Sequence, residues 1–470
     1  ARGLRSARGG WCLPRAERHV KWVALAFMLA VVAPLGRAAA RDPRIARYLA
    51  MAIGFLPFHL VSINLISYEA YRGDARGLEL TLVDFLLVSL WIALPPSSSG
   101  TPMPLARYAY LAVAALSVVR ADIPLYAGFG LFRLLRLYLL FHVLVRAIRD
   151  AKLGSAIHQG LGAGILYAAG LCLWQRYGLG YLQAPGPFSH QNSLAMAANM
   201  VTPSYFALVL NGKGGRFAIA VLGAGALAVL LTLSRGGMAM LVLGCGVVFV
   251  GSLARRPTTR KAKMAGLAML ALAAVLLKAY DTIVERFLHA PKSSEEAREL
   301  FEEAAAHMLK ERPSGVGLNM FSHTLEAGGV GAQVGLPEGD RSGIVHNLYY
   351  LTAAELGWLG LASFVWLVLT PLWWALRGAI RRPGVNGDFA LGVAASIAAT
   401  LLQGKLEWAL RITQLSQLFW ILFAFAAAFG IDAPRRAASA TKRAGMPSHR
   451  SQGGTRETRA TTTPRRTVRV

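Results

Sequence analysis

The chain has 470 residues, 55% hydrophobic and only 16% charged, with mean hydropathy +0.44 and a formal net charge of +26. A soluble globule carries roughly a quarter charged residues, and apolar stretches of about 17–25 residues, enough to cross a bilayer core about 30 Å thick, recur along this chain. A multi-pass helical membrane protein follows; a β-barrel, with its period-two alternation, is excluded.

The positive charge falls in short loops and at the termini, which marks topology rather than nucleic-acid binding. Cys12, Cys172 and Cys245 show no paired spacing, so neither a disulfide framework nor a zinc site is suggested.

In chain order, residues 1–21 form a basic flank. Candidate spans follow at 22–36, 48–67, 77–95, 104–119, 124–146, 154–175, 192–211, 216–233, 237–254, 264–279, 347–376, 387–404 and 414–431. Basic clusters at Arg146, Arg149 and Lys152, at Lys213 and Arg216, at Arg255 to Lys263, at Arg377 to Arg382 and beyond Arg435 fall on one side if each later segment crosses once. Retention of positive charge makes that side the cytoplasm. The connections 176–191, 234–237, 280–346 and 405–413 then face outward.

Thirteen crossings would leave the basic N-terminus outside, against the same rule, so about twelve spans with both termini inside are expected. The organisation is thus N-terminal helices over 22–279, an outward loop over 280–346, C-terminal helices over 347–431 and a basic cytoplasmic tail over 432–470. The tail is rich in Arg, Thr and Ser, a composition expected to stay disordered.

The 280–346 interval is the only long polar one. Ser293 and Glu296 suit a capping box for a helix over 294–311, in which Ala297, Leu300, Phe301, Ala304, Met308 and Leu309 share one face. Such a helix lies on the bilayer surface or packs over helix ends. Pro313 ends it, and Gly315 and Gly317 predict a flexible turn.

Several residues are candidates for chemistry. His346 precedes an apolar run that Asn347 can cap; its imidazole suits proton acceptance from a hydroxyl, or it satisfies an exposed helix end. Glu355, deeper in that run, is costly there and so functional, paired or protonated. Arg235, in LTLSRGGMAM, is a cation at an outward turn; it grips phosphate or snorkels to lipid headgroups.

Arg298 sits among Glu295, Glu296, Glu299 and Glu302, which allows an intrahelical ion pair. Arg133 and Arg136 lie one turn apart in a span with few acidic residues nearby, and a diphosphate would satisfy both. His190, Gln191 and Asn192, in GPFSHQNSLA, open a span where they bind sugar or cap the helix. No Walker, DxD, HExxH or GxSxG motif stands at a credible site, which argues against nucleotide hydrolysis, metal-dependent sugar-nucleotide transfer and proteolysis. A transferase working outside the membrane needs a donor already activated on a lipid.

Taken together, these stretches resemble the O-antigen ligase and polymerase superfamily of bacterial inner-membrane proteins. GPFSHQNSLA is similar to its G-x-F-x-H-x-N element and LTLSRGG to its S-R-G turn. ARELFEEAAAHMLKERPSGVGLNMF is similar to its Arg-led helix and G-V-G-x-x-x-F, and HNLYYLTAAELGWLG to its H-N-x-Y/F-L…E-x-G-x-x-G run. The likeness covers roughly 180–365, with an additional VGAQVGLPEGDRSG before His346.

The resemblance implies an all-α, membrane-type (GT-C-like) glycosyltransferase with about twelve spans and a large helical periplasmic loop. It implies transfer of polysaccharide from undecaprenyl diphosphate to a lipid A–core sugar hydroxyl, inverting and without a metal or other cofactor. Siblings polymerise repeats or glycosylate protein. Arg235 and Arg298 would hold the diphosphate and His346 would act at the acceptor hydroxyl, with Arg133, Arg136, His190, Gln191, Asn192 and Glu355 as second-tier contacts. A lipid-linked glycan transporter is the reading from another class, and it predicts repeated half-sequences that are not seen.

Overall fold

The computed structural model describes residues 15–68, 71–96, 104–264 and 292–431. The expected tail, nearly all of the 264–279 span and the Ser293 side chain lie outside those residues.

The bundle begins with α1 (Arg15–Arg41) and α2 (Pro43–Phe55). A hairpin of β1 (Ser62–Ser67) and β2 (Gly77–Thr81) precedes α3 (Leu82–Ala93), α4 (Pro104–Arg120), α5 (Pro124–Arg149) and α6 (Gly154–Leu173). Then come α7 (Gln191–Leu210), α8 (Gly215–Thr232) and α9 (Arg235–Arg255). The loop holds α10 (Lys292–Glu311) and the short α11 (Phe321–Glu326) and α12 (Val330–Gln333). Three long helices close the chain: α13 (Leu348–Arg381), α14 (Val385–Gln403) and α15 (Thr413–Ile431).

Among the described residues nine helices are long and apolar enough to cross a bilayer. α7 and α15 are apolar all round and sit at the centre, α7 against α8, α9 and α14, and α15 against α5 and α13. Peripheral helices instead show large apolar side chains outward, such as Trp22, Phe27 and Leu29 on α1 and Val242, Val247 and Val250 on α9. Water would penalise such faces and lipid does not. The protein is an all-α polytopic membrane protein.

The structure departs from the sequence reading at 48–67. Pro57 stops the helix just after α2, because it cannot donate to the helical ladder. The following SINLIS alternates with period two and pairs antiparallel with GLELT, Ile63 opposite Leu80 and Asn64 opposite Glu79. Asp84 accepts from the Thr81 backbone N–H at 2.7 Å, which starts α3 where the strand ends.

The termini differ too. Lys21 of α1 donates to the Asn64 carbonyl at 3.3 Å, at the hairpin end of the bundle. Arg382, just beyond α13, reaches the Phe429 carbonyl of α15 at the opposite end. The first helix therefore starts at one end and the last finishes at the other, rather than sharing a side as expected from charge. One further crossing of the early chain, which the N-terminal charge disfavours, accounts for the difference.

The loop folds onto the bundle. Phe301, Ala304, Ala305, Met308 and Leu309 of α10 are buried with Val316, Phe321, Leu336 and Leu351, so the apolar face read from the sequence packs over helix ends. The Gly turn expected to be flexible is pinned instead. α13 breaks at Gly357, whose φ of 68° needs glycine. The break frees the Ala354 and Glu355 carbonyls, which accept from the Val316 and Gly317 N–H groups at 2.9 and 2.8 Å. A Cβ on Gly357 would overlap the Pro313 carbonyl, and one on Gly315 that of Glu355. Backbone touches backbone here, and only glycine permits that approach.

Candidate active site

Four segments separated in sequence meet at the hairpin end of the bundle. Asn347 caps α13, its Oδ1 accepting from the Tyr349 and Tyr350 N–H groups. Its Nδ2 donates to Glu302 Oε1 of α10 at 2.9 Å. That bond ties the loop helix to the helix start and fixes the residue next to His346.

His190 caps α7, with Nδ1 accepting from the Asn192 N–H at 3.2 Å. Ser234 caps α9 by accepting from the Gly237 N–H at 3.2 Å, which puts Arg235 in the first helical turn. Each cap satisfies orphan N–H groups at the start of its helix.

The centre of the meeting is Glu407, in the 405–413 connection. It is 6% exposed. Its Oε1 accepts from Asn192 Nδ2 at 2.5 Å and lies 3.7 Å from Arg298 Nη2, and its Oε2 lies 3.6 Å from His346 Nδ1. The His346 separation exceeds a hydrogen bond, but it orients the charge of Glu407 on the Nδ1 side of the ring.

Burial pushes the His190 imidazole below its ordinary range; Glu407 opposes this, while His346 and Arg298 add to it. His190 is thereby kept neutral, as its capping role requires. A cavity of about 410 Å³ opens here, lined by His346, Glu407, His190, Trp408, Arg72 and Arg76 among others.

Of the residues expected at the site, His346, Arg298, His190 and Asn192 converge on Glu407. Arg235 stands at the same mouth: its neighbour Gly236 approaches Leu406, beside Glu407. Gln191 is directed instead to Gln183, donating to Oε1 at 3.0 Å.

Arg133 and Arg136 have protein anions that the sequence did not reveal. Arg133 Nη2 bonds Asp74 Oδ2 at 2.9 Å and Arg136 Nη2 bonds Asp84 Oδ2 at 2.5 Å. Their charges are thus met without a diphosphate. Glu355 is buried away from the cavity and pairs with Arg411 Nη2 at 3.0 Å.

Arg411 also faces Asp74 at 3.5 Å, and Arg133 donates to the Arg411 carbonyl at 2.5 Å. Asp74, Arg133, Arg411 and Glu355 therefore form one buried ionic chain that joins the hairpin loop, α5, the 409–411 turn and α13. Every charge in it has an opposite neighbour, which is the condition for keeping charges out of water.

Sequence reasoning missed Glu407, Asp74 and Arg411. The signal for Glu407 was available: it is one acidic residue in a short connection already read as facing the same way as His346. Among the described residues no three His, Cys, Asp or Glu side chains converge in a way that could hold a metal ion.

No curated protein matches the chain. Residues 218–365 match the family model described as O-antigen ligase. That stretch runs from α8 through the loop into α13 and contains Arg235, Arg298, His346 and Glu355, whereas His190, Asn192 and Glu407 lie outside it. Over this region the chain is similar to the O-antigen ligase family.

Proposed function

We propose that this protein is an O-antigen ligase of the bacterial inner membrane, transferring a polysaccharide from undecaprenyl diphosphate to a sugar hydroxyl of lipid A–core at the periplasmic face. The observation that carries the reading is the convergence of His346 and Arg298 on the buried carboxylate of Glu407, with His346 and Glu407 lining a cavity at the end of an apolar bundle. Orientation is supported by the opposite end. There Arg255 and Lys261 pair with Asp388 at 2.5 and 3.4 Å, and Arg260 donates to the Val209 carbonyl, so the basic loops collect where the positive-inside rule puts the cytoplasm.

In this reaction the acceptor hydroxyl oxygen attacks the anomeric carbon from the face opposite the diphosphate. The bond from that carbon to the diphosphate oxygen breaks, and its electron pair leaves with the diphosphate. His346 takes the hydroxyl proton. Nδ1 faces Glu407, so Nε2 is the nitrogen that meets the acceptor, and Glu407 stabilises the imidazolium as it forms. Arg298 and Arg235 stabilise charge growing on the leaving group, the electrostatic work that cationic side chains supply in place of a metal. Direct displacement inverts the anomeric centre.

The test is transfer in vitro with purified protein, undecaprenyl diphosphate-linked glycan and lipid A–core, in chelator. Labelled glycan should move to lipid A–core. Repeats lengthening on the carrier would instead make the protein a polymerase. His346→Ala should abolish turnover while sparing donor binding, and Arg298→Ala should weaken both; full activity in the histidine variant removes its role.

A further inference from the structure

The hairpin loop presents two arginines that neither the family match nor the proposed mechanism uses. Arg72 and Arg76 are exposed, and both line the His346 cavity. Arg76 also lines an adjoining recess of about 200 Å³ with Asn64, Glu79 and Phe129. Among the described residues neither makes an ion pair, unlike Arg133, Arg136, Arg298 and Arg411. The nearby carboxylates are already engaged: Asp74 with Arg133 and Arg411, and Glu407 with Arg298, His346 and Asn192.

The backbone carrying these cations is held in place. Asn319, in the Gly turn of the large loop, accepts from the Ala75 N–H at 2.9 Å and donates to the Ala75 carbonyl at 2.8 Å. Tyr71 donates its hydroxyl to the Asn319 carbonyl, and Asp74 is buried in the ionic chain. Tyr71, Asp74 and Ala75 are therefore anchored while the interleaved Arg72 and Arg76 project outward. Two unpaired guanidinium groups on a rigid arm, aimed into a cavity, form an anion site whose ordering cost is already met by the fold. Their place is also the end of the bundle from which charge retention removes arginine, so topology alone does not explain them.

We infer that Arg72 and Arg76 bind a phosphate-bearing group of a substrate within the His346 cavity. This rests on the proposed function only in taking that cavity as the transfer site. The donor diphosphate and a phosphate on the acceptor share this chemistry, and the test separates them. Full-length protein in nanodiscs is titrated with undecaprenyl diphosphate, and with acceptor lipid in phosphorylated and dephosphorylated forms. The Arg72→Gln/Arg76→Gln variant should bind one phosphate-bearing probe about tenfold or more weakly, given two charge-assisted contacts.

Loss on undecaprenyl diphosphate assigns the pair to the donor. Loss on the phosphorylated acceptor, with the dephosphorylated form unaffected, assigns it to the acceptor. Arg72→Lys/Arg76→Lys should recover part of the loss, and thermal melting should be unchanged because neither side chain braces the fold. Wild-type-like binding of both phosphate probes by the glutamine variant overturns the inference, as does failure of the wild type to bind either. Because the readout is binding, it stands apart from the His346→Ala transfer result, which alone decides the proposed reaction.

Discussion

Replacing Glu407 by Gln tests whether its charge, rather than its shape, serves catalysis. The substitution keeps an oxygen to accept from Asn192 but removes the negative charge 3.6 Å from His346 Nδ1. At that separation a unit charge pair is worth about 4.6 kcal/mol at an effective dielectric of about 20 and about 1.2 kcal/mol in bulk water. The His346 side chain is 37% exposed, so screening favours the lower part of that range, about 2 kcal/mol. If the imidazolium forms as the glycosidic bond breaks, that energy belongs to the transition state, and its loss slows turnover about thirtyfold.

One signature accompanies the slower rate. Arg298, freed from its 3.7 Å carboxylate partner, should hold the donor at least as well, so KM for undecaprenyl diphosphate-linked glycan should not rise. Transfer kinetics against donor concentration measure both. An unchanged rate would refute the role given to Glu407, and a loss beyond about a thousandfold would make Glu407 itself the base.

Gly357→Ala should destabilise the loop more than the bundle. It puts a Cβ onto the Pro313 carbonyl and strains a φ of 68°, a cost of about 1–3 kcal/mol, visible as earlier proteolysis of residues 292–346 with little change in the main thermal transition. His190 contributes a pH dependence whose sign follows from its lowered pKa. The unfolded chain binds the proton more readily, so the contribution is complete above the ordinary histidine range of about 6.5 and is lost as pH falls below it. Protonation also removes the Nδ1 cap on α7. His190→Asn, which restores a cap without titrating, should flatten the loss of thermal stability between neutral and mildly acid pH; an undiminished slope would count against this account.

Much of the architecture was legible from residue order alone. Apolar length identified the helices from Pro124 onward almost to their ends, because lipid demands both hydrophobicity and internally satisfied backbone. Period and composition identified the apolar face of Lys292–Glu311 and the cap at Asn347, since both depend on neighbours within a turn. The SINLIS strand escaped notice because it lies within a longer apolar stretch, and its short alternation becomes a strand only through pairing with GLELT.

What residue order could not supply was partnership across the bundle. Arg133 looked unpaired because its anion, Asp74, is 59 positions away in a loop. Glu407 acquires meaning only where 190–192, 298 and 346 surround it. A local pattern reports local energetics, whereas the field at a site is a sum over charges that the chain brings together only when its helices pack.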